Sequence, residues 1–207
     1  MSALVLVLPV VAVLAWLLNG IRLIGKISNG PQIGSRANRA LVLVDLQTVF
    51  WDGGAYDAVS KSAVETAVLS EAASARAKGE PVIAVRQEWS IPSTKLLARL
   101  MMKSQAIAGT PGTELAPPFS DLADHRIVKR VQDTFETGEF DQLLKTLDVG
   151  TLRIVGLDGN YCVAKTAQAA RLRGYEVELV KGAVLSADET ASRKTLKLLA
   201  EKGVHFI

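Results

Sequence analysis

Apolar residues are distributed along the chain in two patterns, one typical of buried strands and one typical of helices. Short continuous apolar runs predict strands that are covered on both faces. One such run lies at residues 40–44, and further short segments rich in apolar residues predict strands at residues 81–85, 126–129, 151–155, 176–180 and 204–207. Helical spacing or capping residues predict helices at residues 57–78, 138–147, 161–173 and 186–203. Strands that alternate with helices predict a three-layer α/β/α fold around a six-stranded, mainly parallel sheet.

A separate apolar run of residues 3–18 precedes this alternation. As a helix the run and its flanks are about 30 Å long, close to the thickness of a bilayer core. We therefore expect residues 1–26 to form a membrane anchor, with Trp16 at the interface. The cations that follow the run place the rest of the chain on the cytoplasmic side. A signal peptide cleaved on export and a helix buried in the domain are the alternatives.

The Gly-, Ser- and Asn-rich residues 27–39 read as a linker, and residues 40–207 as the globular domain. The whole chain has 24 basic and 21 acidic residues, a net charge of +3. Four of the cations and none of the acids lie in the first 40 residues, so the domain itself is nearly neutral. We therefore expect no nucleic-acid partner. The single cysteine, Cys162, excludes an internal disulfide and a cluster of thiolate metal ligands.

Three chemically reactive side chains follow or end predicted strands. Asp45 comes directly after the first strand, Lys129 ends the third, and Cys162 lies in the loop and helix that follow the fourth. Each alone has an ordinary structural explanation. Because the carboxyl ends of parallel strands share one edge of the sheet, we expect the three to meet there. A helix N-terminus and a nearby ammonium group are both expected to lower the pKa of the thiol.

Local sequence blocks around these positions resemble the isochorismatase-like cysteine hydrolases, the superfamily that includes nicotinamidases. Residues 155–163, Val-Gly-Leu-Asp-Gly-Asn-Tyr-Cys-Val, form the most specific block. The other similar segments are residues 40–50, 109–115, 128–135, 166–167 and 173–177. The resemblance extends over about residues 40–207 and implies an isochorismatase-like hydrolase fold.

The resemblance also implies a catalytic triad of Asp45, Lys129 and Cys162. In such a triad Asp45 takes the thiol proton, Lys129 stabilises the thiolate, and Cys162 attacks a carbonyl carbon. The backbone N–H groups of Asp158 and Cys162 would hold the oxyanion, and the Leu157–Asp158 peptide bond would be cis. The implied reaction is hydrolysis of a small amide or a related C–N bond, with no cofactor.

Two departures from the family pattern bear on this expectation. Gly159-Asn160 stands where many relatives carry Thr-Asp, which leaves the substrate open. The segment after the second strand, residues 86–90, lacks the histidine that nicotinamidases use to bind metal, so we expect no metal site. His125 and His205 are expected to have structural or surface roles. A binding or scaffold protein that keeps the fold but has lost activity is the alternative function.

A few further side chains are candidates for the substrate pocket, although core packing is an equally good explanation for the aromatic ones. An aromatic lining would favour a small, flat or apolar acyl group. Residues 96–102 are expected to form a lid, an oligomer contact or part of the core, and a homo-oligomer is a possible assembly. The candidate substrate-binding residues are Phe50, Trp89, Phe135, Asn160 and Tyr161.

Overall fold

A computed structural model describes the backbone of residues 2–207 and the side chains from residue 9 onward. Its centre is a six-stranded parallel sheet in the order β3-β2-β1-β4-β5-β6, which confirms the predicted fold class. The chain leaves β1 first toward one edge and then toward the other, so β1 and β4 flank the point where the strand order reverses. In such sheets this point forms a crevice at the carboxyl ends of the strands. The strands are β1 (Asn38–Val44), β2 (Val82–Gln87), β3 (His125–Lys129), β4 (Val149–Gly156), β5 (Glu176–Val184) and β6 (His205–Phe206).

Helices cover both faces of the sheet. In β1, Ala40, Val42 and Val44 point into one core layer, whereas Leu41 and Leu43 point into the other. The first layer is closed by α5, α6 and α7 and the second by α3, which explains why residues 40–44 of β1 are apolar without interruption. The helices are α1 (Ser2–Gly25), α2 (Thr48–Trp51), α3 (Ala58–Ala77), α4 (Pro92–Met101), α5 (Glu139–Thr146), α6 (Cys162–Leu172) and α7 (Glu189–Glu201).

The apolar N-terminal run forms helix α1, but the expected membrane anchor is wrong. Within the described residues, no helix combines the length and the apolarity that a bilayer crossing requires. The run's side chains at positions 3–8 lie outside the described residues. Toward its C-terminal end α1 packs on the domain, where Gly20 and Ile24 are buried against residues that include Leu97 of α4. The cytoplasmic orientation depended on the anchor and is withdrawn with it.

Two strands extend further than their apolar runs suggest. β2 continues through Arg86 to Gln87, and β5 continues to Val184. Gln87 remains in the sheet because Gln47 satisfies its backbone. The Gln47 side chain accepts from Gln87 N at 2.6 Å and donates to Gln87 O at 3.0 Å. A polar residue therefore lies fully buried at the carboxyl edge of the sheet, where the site is formed.

Candidate active site

The acid, the amine and the thiol that follow separate strands lie together at the strand-order reversal. Nζ of Lys129 is 2.9 Å from Oδ2 of Asp45 and 3.2 Å from Sγ of Cys162. Asp45 and Lys129 are almost completely withdrawn from solvent, whereas Cys162 is partly exposed. The ammonium group therefore bridges a buried carboxylate and a reachable sulfur atom.

The backbone at the end of β1 turns sharply to place the acid. Asp45 has φ of 53°, a left-handed conformation that is uncommon outside glycine, and its N–H donates to Val85 O at 2.9 Å. On the neighbouring strand, a Cβ at Gly156 would lie 2.1 Å from Val44 O. Only glycine allows β1 and β4 to approach so closely at the start of the loop between β4 and α6.

Burial and charge shift the proton equilibria of all three groups. Burial raises the pKa of Asp45, although Lys129 partly opposes the shift. Burial alone would lower the pKa of Lys129, but the charges of Asp45 and Cys162 outweigh it and the pKa is raised. Burial and then the Asp45 carboxylate raise the pKa of the Cys162 thiol, more than Lys129 lowers it. Burial and the Asp45 charge thus oppose the lowered thiol pKa that the sequence suggests.

The amide of Gln87 is a further member of the site that the sequence patterns did not indicate. Its Oε1 accepts from Lys129 Nζ at 2.5 Å, which fixes the ammonium from a third side. Its Nε2 is buried and borders the pocket, and it has no hydrogen-bond partner among the described residues. Oδ1 of Asp45 is also buried and has no hydrogen-bond partner among the described residues. The site thus offers one unused donor and one unused acceptor beside the thiol.

The loop between β4 and α6 presents the sulfur atom. Its Leu157–Asp158 peptide bond is cis. The N–H groups of Gly159, Asn160 and Tyr161 are hydrogen bonded within the fold. Those of Asp158 and Cys162 have no partner in the described part of the chain. Two backbone donors without a partner among the described residues therefore lie in the segment that presents the thiol, one in the loop and one at the first residue of α6.

The side chain of Asp158 holds this loop in place. Its Oδ1 accepts from Asn160 N at 2.7 Å, and its Oδ2 accepts from Ala187 N at 2.8 Å and from the Tyr56 hydroxyl at 3.2 Å. Burial and the Asp158 charge raise the pKa of Tyr56, so the phenol stays protonated and donates. Three segments distant in sequence are thereby tied together beside Cys162.

A pocket of about 520 Å³ opens over Cys162. Three of the predicted substrate-binding residues line it, namely Phe50, Trp89 and Tyr161, and Tyr161 is 53% exposed. Tyr56 also lines the pocket, which the sequence analysis did not foresee. Further lining comes from the end of α4 and the residues after it, Met101, Met102, Lys103 and Gln105. The pocket as a whole is thus lined mainly by apolar and aromatic surface, with the charged groups gathered at the sulfur.

Two of the predicted substrate-binding residues lie elsewhere. Phe135 is 1% exposed in the core, with its ring 4.8 Å from that of Phe140 and the Arg173 guanidinium 4.5 Å above it. Asn160 borders a separate cavity of about 210 Å³ beside α7, where its Nδ2 donates to Asp188 O at 3.0 Å. Their proximity in sequence to Lys129 and Cys162 suggested a pocket role, but the chain turns both side chains away.

The residues after β2 do not fit a metal ion. Glu88 is the acidic residue of this segment, and its Oε1 is 3.2 Å from the Arg86 guanidinium, which neutralises the charge that a cation would need. Across the described residues, no three His, Cys, Asp or Glu side chains are grouped as metal ligands would be.

The fold and the site together define a doubly wound α/β protein with a carboxylate, an ammonium group and a thiol at its topological switch point. The family model of the isochorismatase domain matches residues 39–207, so the chain belongs to this family. An uncharacterised isochorismatase family protein of Bacillus subtilis, YaaI, is 25% identical over 166 residues. That similarity covers 80% of this chain and 90% of YaaI.

Solved structures share the fold across nearly their full length. The pyrazinamidase of Pyrococcus horikoshii in complex with zinc is 23% identical with a TM-score of 0.69, covering 83% of this chain and 99% of that one. The pyrazinamidase/nicotinamidase of Streptococcus mutans is 23% identical with a TM-score of 0.70, covering 82% and 100%. The N-carbamoylsarcosine amidase of Thermoplasma acidophilum is 22% identical with a TM-score of 0.69, covering 82% and 95%. At these identities the likeness establishes the fold.

Proposed function

We propose that the protein is a cysteine hydrolase that cleaves a small amide or a related non-peptide C–N bond. The observation that carries this proposal is the position of Lys129 Nζ, within 3.2 Å of both the Asp45 carboxylate and the Cys162 sulfur. The amidases among the structural neighbours support the reaction class. The pocket above the sulfur gives a small substrate room to reach it.

The reaction begins when the Cys162 sulfur attacks the carbonyl carbon and the thiol proton passes to Oδ1 of Asp45. This oxygen is suited to the role because it is buried and has a raised pKa, and its lone pairs are unused by the described residues. Lys129 stabilises the negative charge on sulfur as the proton leaves. The oxyanion of the tetrahedral intermediate accepts hydrogen bonds from the N–H groups of Asp158 and Cys162.

The C–N bond then breaks as Asp45 returns its proton to the departing amine or ammonia. This leaves a thioester between the acyl group and Cys162. A water molecule attacks the thioester carbon and gives a proton to Asp45, and that proton restores the thiol when the C–S bond breaks. The net reaction consumes one water and releases a carboxylic acid and an amine.

The pocket favours an acyl group that is flat and carries a hydrogen-bond acceptor. Phe50 and Trp89 supply aromatic surfaces on which a planar group can pack. Nε2 of Gln87 is buried at the pocket, and a substrate acceptor would satisfy this otherwise costly donor. Aromatic and heteroaromatic carboxamides combine both features, so they come first in a substrate screen.

The test uses the full chain with a panel of small amides, and ammonia release is measured over time. We expect the wild type to release ammonia and Cys162→Ala to lose at least about 10³-fold of that rate, because the nucleophile is removed. Equal turnover by both proteins would contradict the proposal. Binding of a panel member without turnover would favour the alternative of a protein that keeps the fold only for binding.

A further inference from the structure

The chain segment that precedes the family domain contacts the rear of the active-site pocket. Residues 17–29, named the N-terminal brace from here on, comprise the end of α1 and the turn after it. They lie outside the isochorismatase match, which begins at residue 39. The brace reaches two walls of the pocket, one formed around Trp89 and one formed by the loop after Lys129.

The first contact is apolar. Ile24 of the brace is 9% exposed and belongs to one buried cluster with Trp89 and Leu97. Leu17 packs on this cluster from the brace, and Met102 packs on it from the pocket side. Trp89 and Met102 also line the pocket, so Ile24 belongs to the same packed cluster as part of the pocket wall.

Close packing of α1 on α4 keeps the brace in position. A Cβ at Gly20 would lie 2.8 Å from Cβ of Ser93 and 2.9 Å from Cδ1 of Leu97. Contacts this short do not occur between real side chains, so a glycine is needed at position 20 for the two helices to approach. Gly25, five residues later in α1, has nothing within 4 Å of an added Cβ. The two glycines therefore form a matched pair for substitution.

The second contact is a set of hydrogen bonds to the loop after β3. Gln132, which lines the pocket, donates its N–H to Ile24 O at 3.2 Å. Ser28 N donates to Oδ2 of the buried Asp133 at 2.6 Å. The Arg173 guanidinium donates to Ser28 O at 2.9 Å and to its Oγ at 3.0 Å. The brace is thus fixed to the segment that follows the catalytic lysine.

We propose that the N-terminal brace is a functional part of this active site, with Ile24 as a positioning residue that sets the place of the Trp89 wall. Ile24 touches none of the reacting groups and acts on substrate through Trp89 and Met102. Loosening the brace widens and softens the pocket while Asp45, Lys129 and Cys162 keep their contacts. The expected change in substrate binding rests on the proposed amide hydrolysis. The expected change in access of reagents to Cys162 does not depend on it.

The experiment compares Ile24→Ala with Ile21→Ala in the full chain, since Ile21 is 52% exposed on the same helix. For Ile24→Ala we expect KM to rise about fivefold to tenfold with kcat within about twofold, because the wall binds substrate but does no chemistry. Ile21→Ala should leave both constants unchanged. Gly20→Ala and Gly25→Ala should repeat this contrast, with the effect confined to Gly20→Ala.

Alkylation of Cys162 supplies a readout that needs no substrate. The rates with N-ethylmaleimide and with the smaller iodoacetamide are measured for the same four variants. We expect the maleimide-to-iodoacetamide rate ratio to rise about threefold in Ile24→Ala and Gly20→Ala only, because a softened wall admits the bulkier reagent. Equal ratios in Ile24→Ala and Ile21→Ala would overturn the proposal. If the wild type hydrolyses no amide but the alkylation ratios of the variants differ as expected, the proposed amide hydrolysis is wrong and the proposed role of the brace is supported.

Discussion

The carboxylate of Asp45 and the ammonium group of Lys129 form an ion pair of 2.9 Å in which both side chains are nearly inaccessible to water. Such a pair is costly to bury, and its members depend on each other because either one alone would be an uncompensated charge. Its location under a reachable thiol, and not in the middle of the core, agrees with a catalytic use. If the proposed mechanism holds, a substitution in this pair affects both stability and turnover.

Removal of one member of the pair should destabilise the protein strongly. For Lys129→Met we expect the free energy of unfolding to fall by about 3–5 kcal/mol, because Asp45 is left buried without a partner. The double variant Asp45→Asn with Lys129→Met should recover part of that loss. Urea unfolding followed by circular dichroism measures all three proteins.

The neighbouring residue Arg130 provides the control for this prediction. It pairs with Glu136 at 2.7 Å on the surface, where its side chain is 45% exposed. Arg130→Met should change the free energy of unfolding by less than about 1 kcal/mol. Similar losses for Lys129→Met and Arg130→Met would show that the buried pair is not the special feature described above.

The two charges should move the pKa of Cys162 in opposite directions. In the wild type the thiol pKa is raised, so alkylation by iodoacetamide should accelerate at a pH above about 8.5, the value for a free cysteine. Asp45→Asn removes a charge that disfavours the thiolate, so the midpoint should move to lower pH. Lys129→Met removes a charge that favours it, so the midpoint should move to higher pH.

In these variants the hydrolysis rate should not change in parallel with the alkylation rate. Asp45→Asn makes the thiolate easier to form but leaves no base to return a proton to the leaving amine, so we expect turnover to fall by at least about 10²-fold. A pH series of alkylation rates together with ammonia release from one amide measures both effects. A variant Asp45→Asn with unchanged alkylation and unchanged turnover would mean that the carboxylate does not act on the sulfur.

The conformation of the loop between β4 and α6 should depend on Asp158 more than on any single hydrogen-bond partner of the Asp158 side chain. Asp158→Ala loses three hydrogen bonds, two to backbone N–H groups and one to Tyr56. We expect kcat to fall about tenfold or more with a smaller change in KM, because the oxyanion donors are displaced. Tyr56→Phe loses one of the three and should have a weaker effect. If Asp158→Ala keeps the wild-type kcat, the loop does not need this support.

The sequence predicts the central strand β1 well because its residues 40–44 are covered on both faces of the sheet. Val42 and Leu43 point to opposite core layers, so no polar residue interrupts the strand and its signal is strong. Apolar residues do not predict where a strand ends. Gln87 pairs in register with Lys129 of β3, and Gln47, 40 residues earlier, hydrogen bonds its backbone on the other side; such long-range contacts leave no periodic signal.

The sequence also brings the three reactive groups to one edge but does not determine their protonation. A helix N-terminus and a lysine near Cys162 suggest a lowered thiol pKa, yet burial and the Asp45 charge dominate. Burial cannot be obtained from residue order. The surroundings of helix α1 cannot be obtained from residue order either. Its apolar composition suggests a lipid environment, whereas Ile24 near its C-terminal end is covered by the domain.

The two aromatic residues Trp89 and Phe135 should separate substrate binding from core stability. Both follow strand ends, and both are nearly buried, but only Trp89 lines the pocket. We expect Trp89→Ala to raise KM for an aromatic amide by about tenfold, because it removes a packing surface for the acyl group. Phe135→Ala should instead lower the free energy of unfolding by about 3–5 kcal/mol and leave the KM of the folded protein unchanged. Steady-state kinetics and urea unfolding of both variants measure the contrast. A larger increase in KM for Phe135→Ala than for Trp89→Ala would contradict the placement of the acyl group against Trp89.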